Sequence, residues 1–285
     1  MEVTINGATT TLETFGEGIP IVSLHGWGCD RAMMKGCLEP AFSGIDGFRR
    51  AYFDLPGMGT STVGDKIGSS DDMLDFALGV IDRISPSGGR FALVGKSYGG
   101  YLAKAIAARV PERFLGLLLV CPAIVMDDDK KRVPKRETRI RQDGIERIVP
   151  KEDLADFELF QTVQTAETWA RYRDFVLPGA RRANQEFLSG VLGPNKYLSN
   201  DPDRAGFAGA SISPDDTFPF PTLMLTGKRD WCVGYEDAYA ILRRYPRSTY
   251  AAIDNAGHNL EFEYPELFTA HVRGWLADVA RYAGA

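Results

Sequence analysis

Residues 91–110 read FALVGKSYGGYLAKAIAARV, and this stretch decides the fold. Phe91 to Val94 is a short apolar run of strand character, and the chain from about Tyr98 to Val110 reads as a helix. Between them stands Gly95-Lys96-Ser97-Tyr98-Gly99, a match to G-x-S-x-G. A serine on so sharp a strand-to-helix turn adopts a strained backbone, and small neighbours must let strand and helix approach. Gly95, Gly99 and Gly100 supply that room. The turn presents the hydroxyl beyond the strand's carboxyl end and at a helix N-terminus, where developing negative charge is favoured. Ser97 is therefore the candidate nucleophile. Lys96, on the alternate face of the strand, is expected to pack or to form a salt bridge.

Outward from this stretch, short apolar runs alternate with amphipathic ones, which predicts a largely parallel sheet. Residues 2–16 read as a hairpin turning at Asn6-Gly7. Strands are expected at Ile19–Leu24, Arg50–Phe53 and Leu115–Val120, and a helix at Asp71–Ile84. After residue 122 the pattern breaks. Residues 127–141, DDDKKRVPKRETRIR, are densely charged, and the chain to about 214 reads as helices and loops without a strand signal. Trp169, Tyr172 and Phe175 fall at a spacing of three and share one expected helix face. Strand character returns at Thr222–Thr226 and at 249–253, with helices near 235–245 and 265–282. The expected organisation is a core of residues 1–122 and 217–285 with a helical insertion, 123–216.

Composition narrows the function classes. The 285 residues are 44% hydrophobic and 25% charged, with a net charge of −5, which argues against a nucleic-acid partner. No stretch reaches the apolar length of a membrane span, and the N-terminus lacks the features of a signal peptide. The cysteines, Cys29, Cys37, Cys121 and Cys232, show no CxxC spacing and read as free thiols of a cytoplasmic protein. The histidines, His25, His258 and His271, are scattered, so no metal site is expected. A monomer or a homodimer is expected.

A serine hydroxyl needs an adjacent base. His258, in Asn255-Ala256-Gly257-His258, follows the strand TYAAI and would reach the same sheet edge as Ser97. His25 is its competitor, and His271 lies within the last helix. A carboxylate should hold the imidazole tautomer. Asp230 follows TLMLTGKR and precedes His258, and the chain order Ser97, Asp230, His258 is the one G-x-S-x-G enzymes use. Asp127 and Asp128 are the fallback. His25-Gly26-Trp27-Gly28 follows the third strand, so the backbone N–H groups of Trp27 and Tyr98 are the expected oxyanion donors.

HGWG, DLPGMGTS (Asp54 to Ser61), GKSYGG, GKRD (Gly227 to Asp230) and NAGH stand in the order and spacing of one family. In these motifs the chain resembles the α/β-hydrolase superfamily, within the group that includes esterases and meta-cleavage C–C hydrolases. The resemblance implies an eight-stranded, mostly parallel sheet with helices on both faces and a helical cap over the site. Met58 stands where a histidine is common, and Lys96 likewise departs from the residue often found before the nucleophile. Ser97 argues against the dehalogenase and epoxide hydrolase chemistries, which use aspartate, and the elbow does not match proline aminopeptidase relatives. DLPGMGTS and Glu263 read as architectural.

These residues point to hydrolysis of a small or medium carboxylic ester without metal or cofactor. The expected small-molecule pocket draws on Trp231, Trp169, Tyr172 and Phe175. One rival is C–C cleavage of a dienoate, with Arg171, Arg173, Arg181 or Arg182 receiving its carboxylate. The other is a non-catalytic small-molecule receptor on the same scaffold.

Overall fold

The computed structural model describes residues 1–86, 88–199, 201 and 217–284. In chain order the core begins with β1 (Glu2–Ile5), β2 (Ala8–Thr11), β3 (Glu13–Phe15), β4 (Ile19–Leu24), α1 (Arg31–Phe42), β5 (Phe48–Tyr52), α2 (Ser70–Ile84), β6 (Phe91–Lys96), α3 (Tyr98–Arg109) and β7 (Phe114–Val120). The inserted segment carries β8 (Ile140–Arg141), α4 (Lys151–Phe160), β9 (Val163–Gln164), α5 (Ala166–Phe175), α6 (Leu177–Arg182) and α7 (Gln185–Phe187). The core resumes with β10 (Thr222–Gly227), α8 (Glu236–Ala240), β11 (Ser248–Ile253), α9 (Leu260–Glu263) and α10 (Pro265–Ala283).

The main sheet runs β11-β10-β7-β6-β4-β5-β3, parallel throughout except for β3. Every residue of β6, β7 and β10 is buried, which is why these strands read as unbroken apolar runs rather than alternating ones. Helices α1 and α10 pack together on one side, and α2 and α3 on the other. The amino-terminal hairpin turns at Asn6 and Gly7, both at positive φ, as its Asn-Gly pair predicts.

Two expectations need correction in detail. The main sheet has seven strands, not eight, among the described residues, because the second strand breaks at Leu12. Its first half, β2, pairs with β1 in a separate ladder, and its second half, β3, pairs with β5. Leu12 is 3% exposed and turns into the core at the break. The inserted segment is not free of strands either. Ile140–Arg141 pairs in parallel with Val163–Gln164, a ladder too short to give any periodic signal.

Helix α1 went unanticipated, because Gly36 and Pro40 interrupt its pattern. Gly36 has a packing reason. A Cβ there would stand 2.4 Å from the Phe175 ring, so this position lets α5 of the inserted segment press against the core.

Candidate active site

Ser97 stands between β6 and α3 at φ 53° and ψ −116°, a positive φ that few non-glycine residues adopt. The chain holds it there by backbone bonds. Its N–H donates to the Val120 carbonyl at 3.0 Å, and its carbonyl accepts from Tyr101 at 3.1 Å and Ala123 at 3.0 Å. Close approach completes the turn. A Cβ on Gly95 would meet the Gly99 carbonyl at 2.5 Å, and one on Gly99 would meet the Leu24 carbonyl at 2.3 Å. The glycines of the motif are thus a packing requirement.

Two loops from elsewhere converge on this hydroxyl. His258 Nε2 lies 3.0 Å from Ser97 Oγ, and His258 Nδ1 lies 2.9 Å from Asp230 Oδ2. The other carboxylate oxygen of Asp230 accepts from the amides of Cys232 at 2.9 Å and Val233 at 3.1 Å. Burial alone would raise the Asp230 carboxyl, but His258 and the more distant Lys96 ammonium hold it below the usual carboxylate range. A carboxylate that stays ionised next to an imidazole favours the tautomer with the proton on Nδ1, leaving Nε2 free to accept from the serine.

His25 is occupied differently. Its Nε2 accepts from the Leu55 amide at 2.9 Å, so Nδ1 carries the proton and donates to the Gly26 carbonyl at 2.8 Å. Burial pushes its pKa down. Both ring nitrogens are engaged by backbone, so this imidazole braces the turn after β4. His271 lies on α10 beside Thr222 and Thr249, at the amino-terminal ends of β10 and β11 and so at the opposite end of the sheet. Asp127 and Asp128 sit in a solvated loop, paired with Lys130 at 2.8 Å and Lys131 at 2.6 Å.

The loop bearing Trp27 packs directly on the elbow. A Cβ on Gly26 would stand 3.3 Å from the Ser97 Cβ, and the Trp27 and Tyr98 rings meet edge to face at 5.1 Å. Tyr98 opens α3, where an amide has no intrahelical acceptor, and the Trp27 amide donates to no other backbone group of the described residues. Among the described residues these two amides are left with hydrogen-bonding capacity to spare.

Asp54 is fully buried and accepts from Arg31 N at 2.7 Å and from the amide and hydroxyl of Thr60, each at 2.9 Å. Glu263 joins the histidine loop to the inserted segment. It accepts from Gly257 N at 2.6 Å, Thr162 N at 2.6 Å and Val163 N at 3.1 Å. Lys96 is buried, pairs with Glu261 at 3.2 Å and donates to the His258 carbonyl. Burial would lower its pKa, but Glu261, Asp230 and the other groups around it together outweigh that and keep the ammonium charged.

Cys121, Asp230 and His258 each offer a donor atom within 4.8 Å of the others. Two of these donors are already committed to the serine relay, and burial pushes the Cys121 thiol well above its ordinary pKa. The set suits proton transfer better than cation binding.

A cavity of about 380 Å³ opens beside Ser97 and His258, walled by Met33, Phe160, Tyr172, Val176 and Ala180. Of the pocket residues expected from sequence, Tyr172 lines it. Trp169, Phe175 and Trp231 do not. Trp169 packs against Phe157 and Tyr172, Phe175 stacks on Phe262, and Trp231 stacks on Phe160 and donates to the Leu159 carbonyl. A spacing of three placed Trp169, Tyr172 and Phe175 on one broad helix face, and most of that face is consumed by packing. Met33, Phe160 and Val176 were missed, because single apolar residues in helices carry no signal that separates a cavity wall from core.

Comparison with known proteins identifies the family of the fold. A family model described as the alpha/beta hydrolase fold matches residues 19–265. A pimeloyl-[acyl-carrier protein] methyl ester esterase from Aeromonas salmonicida is 24% identical over 275 residues, 93% of this chain and 98% of that one. A 2-hydroxymuconate semialdehyde hydrolase from Pseudomonas putida is 24% identical, over 97% of this chain and 94% of the relative. The crystal structure of an alpha/beta superfamily hydrolase from Oenococcus oeni PSU-1 superposes with a TM-score of 0.85 at 28% identity, covering 98% and 99% of the two chains. With a family model spanning most of its length, the chain belongs to the alpha/beta hydrolase family.

Proposed function

We propose that the protein hydrolyses a small or medium carboxylic ester through an acyl-enzyme on Ser97. The observation that carries this reading is the relay in which Ser97 Oγ lies 3.0 Å from His258 Nε2 and His258 Nδ1 lies 2.9 Å from Asp230. Ser97 Oγ attacks the ester carbonyl carbon while its proton passes to His258. The carbonyl oxygen becomes negative and is met by the Trp27 and Tyr98 amides. The bond to the alcohol oxygen then breaks, and His258 returns the proton to that oxygen. Water adds to the acyl-enzyme by the same route and releases the acid and the free serine. Asp230 stays ionised and holds the ring. The described part of the inserted segment acts as a cap, which supplies Phe160, Tyr172 and Val176 to the cavity.

The names of the relatives support ester hydrolysis and keep C–C cleavage in view. The cap arginines favour the ester. Arg171 donates to the Phe262 carbonyl at 3.2 Å, and Arg173, Arg181 and Arg182 pair with Asp174, Asp153 and Asp30. None of the four lines the cavity beside His258, where a dienoate carboxylate would need a partner. The test is turnover of p-nitrophenyl acetate and butyrate, together with a dienoate, by the wild type and Ser97→Ala. Loss of about 10⁴-fold or more in ester turnover by a variant with unchanged melting temperature is expected. An unchanged rate overturns the assignment, and stoichiometric labelling of Ser97 by a fluorophosphonate without steady-state turnover would instead favour the receptor.

A further inference from the structure

Two cavities meet at Ser97. The one already described contains His258. The second, about 390 Å³, shares Trp27, Ser97, Gln185 and Cys232 with it but has Tyr98 in place of His258, and Lys131 and Lys196 stand in its wall. The direction of the chemistry separates the two. His258 must hand its proton to the departing alcohol, so the alcohol belongs in the cavity that holds His258. The acyl chain then extends from the oxyanion donors into the second cavity.

We propose that this second cavity recognises a carboxylate at the far end of the acyl chain, held by Lys131 and Lys196, so that the preferred substrates are half-esters of dicarboxylic acids. The inference rests on the function proposed above. The two ammonium groups share one counter-charge. Asp128 lies 2.6 Å from Lys131 and 3.1 Å from Lys196, which leaves one positive charge of the trio uncompensated. The Asp128 side chain is 72% exposed, whereas those of Lys131 and Lys196 are 17% and 25% exposed. Water already competes for the aspartate, so a substrate carboxylate can take its place at small cost. The lysines, by contrast, are partly withdrawn from solvent, where a charge is screened less.

Lys196 is also fixed relative to the reacting centre. Its carbonyl accepts from Ser70 Oγ at 2.7 Å, and the same hydroxyl lies 2.7 Å from the Tyr98 hydroxyl. The Ser70 amide donates to the neighbouring Asn195 carbonyl at 3.1 Å. The residue that offers an oxyanion amide thus anchors, through one serine, the main chain from which the Lys196 side chain reaches. Ala123, Met126, Leu188 and Val233 supply apolar wall suited to a methylene chain.

The test compares p-nitrophenyl half-esters of the acids from succinic to suberic with p-nitrophenyl esters of the monocarboxylic acids of equal length. At the matching length the half-acid is expected to have the higher kcat/KM. The Lys131→Met/Lys196→Met double variant should lower the half-acid to neutral ratio about tenfold, mainly through KM, and added salt should lower it in the wild type. Preference for the neutral ester at every length, or a ratio unmoved by the double substitution, overturns the proposal. A second measurement separates this outcome from failure of the hydrolase reading. Calorimetry of the methyl half-ester binding to Ser97→Ala, with and without the lysine substitutions, reads the site without turnover. Lysine-dependent binding without any ester hydrolysis sustains the site and sinks the reaction, whereas Ser97-dependent hydrolysis without lysine dependence does the reverse.

Discussion

At the carboxyl ends of the core strands backbones nearly touch, whereas much of the segment inserted between β7 and β10 packs through rings and ion pairs, with Gly179 against the Asp30 amide as its own close backbone approach. Gly95, Gly99 and Gly227 each stand where a Cβ would come within 2.5 Å of a carbonyl oxygen. The loops they permit carry Ser97, Asp230 and His258 on hydrogen bonds to main-chain groups. In the inserted segment Phe157 meets the Trp169 and Tyr172 rings at 5.4 and 5.7 Å, and Arg141 reaches Glu158 at 2.7 Å across solvent. The contrast teaches where tolerance lies. A side-chain contact can be exchanged for another, but a backbone contact at van der Waals distance admits no substituent.

The largest expected effect tests the rigid region. Asp230→Asn should keep the fold but favour the wrong histidine tautomer, lowering kcat by about 10³–10⁴ at unchanged melting temperature. A tenfold loss or less would mean that the core loops do not hold the imidazole through this carboxylate.

An intermediate effect lies at the seam, where Glu263 ties Gly257 to Thr162 and Val163. Burial raises its carboxyl to about 7, although the three amides pull the other way. Because this value lies above the ordinary carboxylate one, the native state binds the proton more tightly than the unfolded chain. The associated stability is complete below pH 4.5 and is lost as pH rises through about 7, on the order of 3 kcal/mol over the window. Melting temperatures of the wild type and Glu263→Gln, followed from pH 4 to 8, should show a pH-dependent loss in the wild type that the variant lacks. Parallel curves would show that the seam does not titrate.

The smallest effect tests the tolerant region. Arg141→Ala removes the exposed ion pairs to Glu158 and Glu146 and a part-buried hydrogen bond to the Gln164 side chain, and should change unfolding free energy by about 1 kcal/mol, read by urea denaturation. A loss several times larger would show that the inserted segment depends on its surface charges.

Legibility from sequence followed the same division. Strands β6, β7 and β10 were plain because unbroken apolar runs leave little alternative once helices cover both faces of a sheet. Serine, histidine and aspartate could be named because each follows a strand end, and a parallel sheet brings those ends to one rim. The cavity was not legible. Trp169, Phe175 and Trp231 were expected in it and instead serve packing, while Met33 on the unanticipated α1 forms part of its wall. Which side of a helix faces a void depends on how the inserted segment docks, and the close approaches of Gly36 to Phe175, Gly57 to Phe187 and Gly179 to the Asp30 amide set that together.

By itself the sequence determined the fold class and narrowed the candidate reacting groups to Ser97, a histidine and a carboxylate that follow strands, because both are written in local periodicity and in motifs whose glycines permit one backbone path. Only the tertiary structure showed why His258 rather than His25 stands beside Ser97 with a nitrogen to spare. His25 and His258 follow strands in the same way, but one is bonded at both nitrogens to backbone while the other lies between Ser97 and Asp230. That difference arises from contacts between residues far apart in the chain, which no local pattern records.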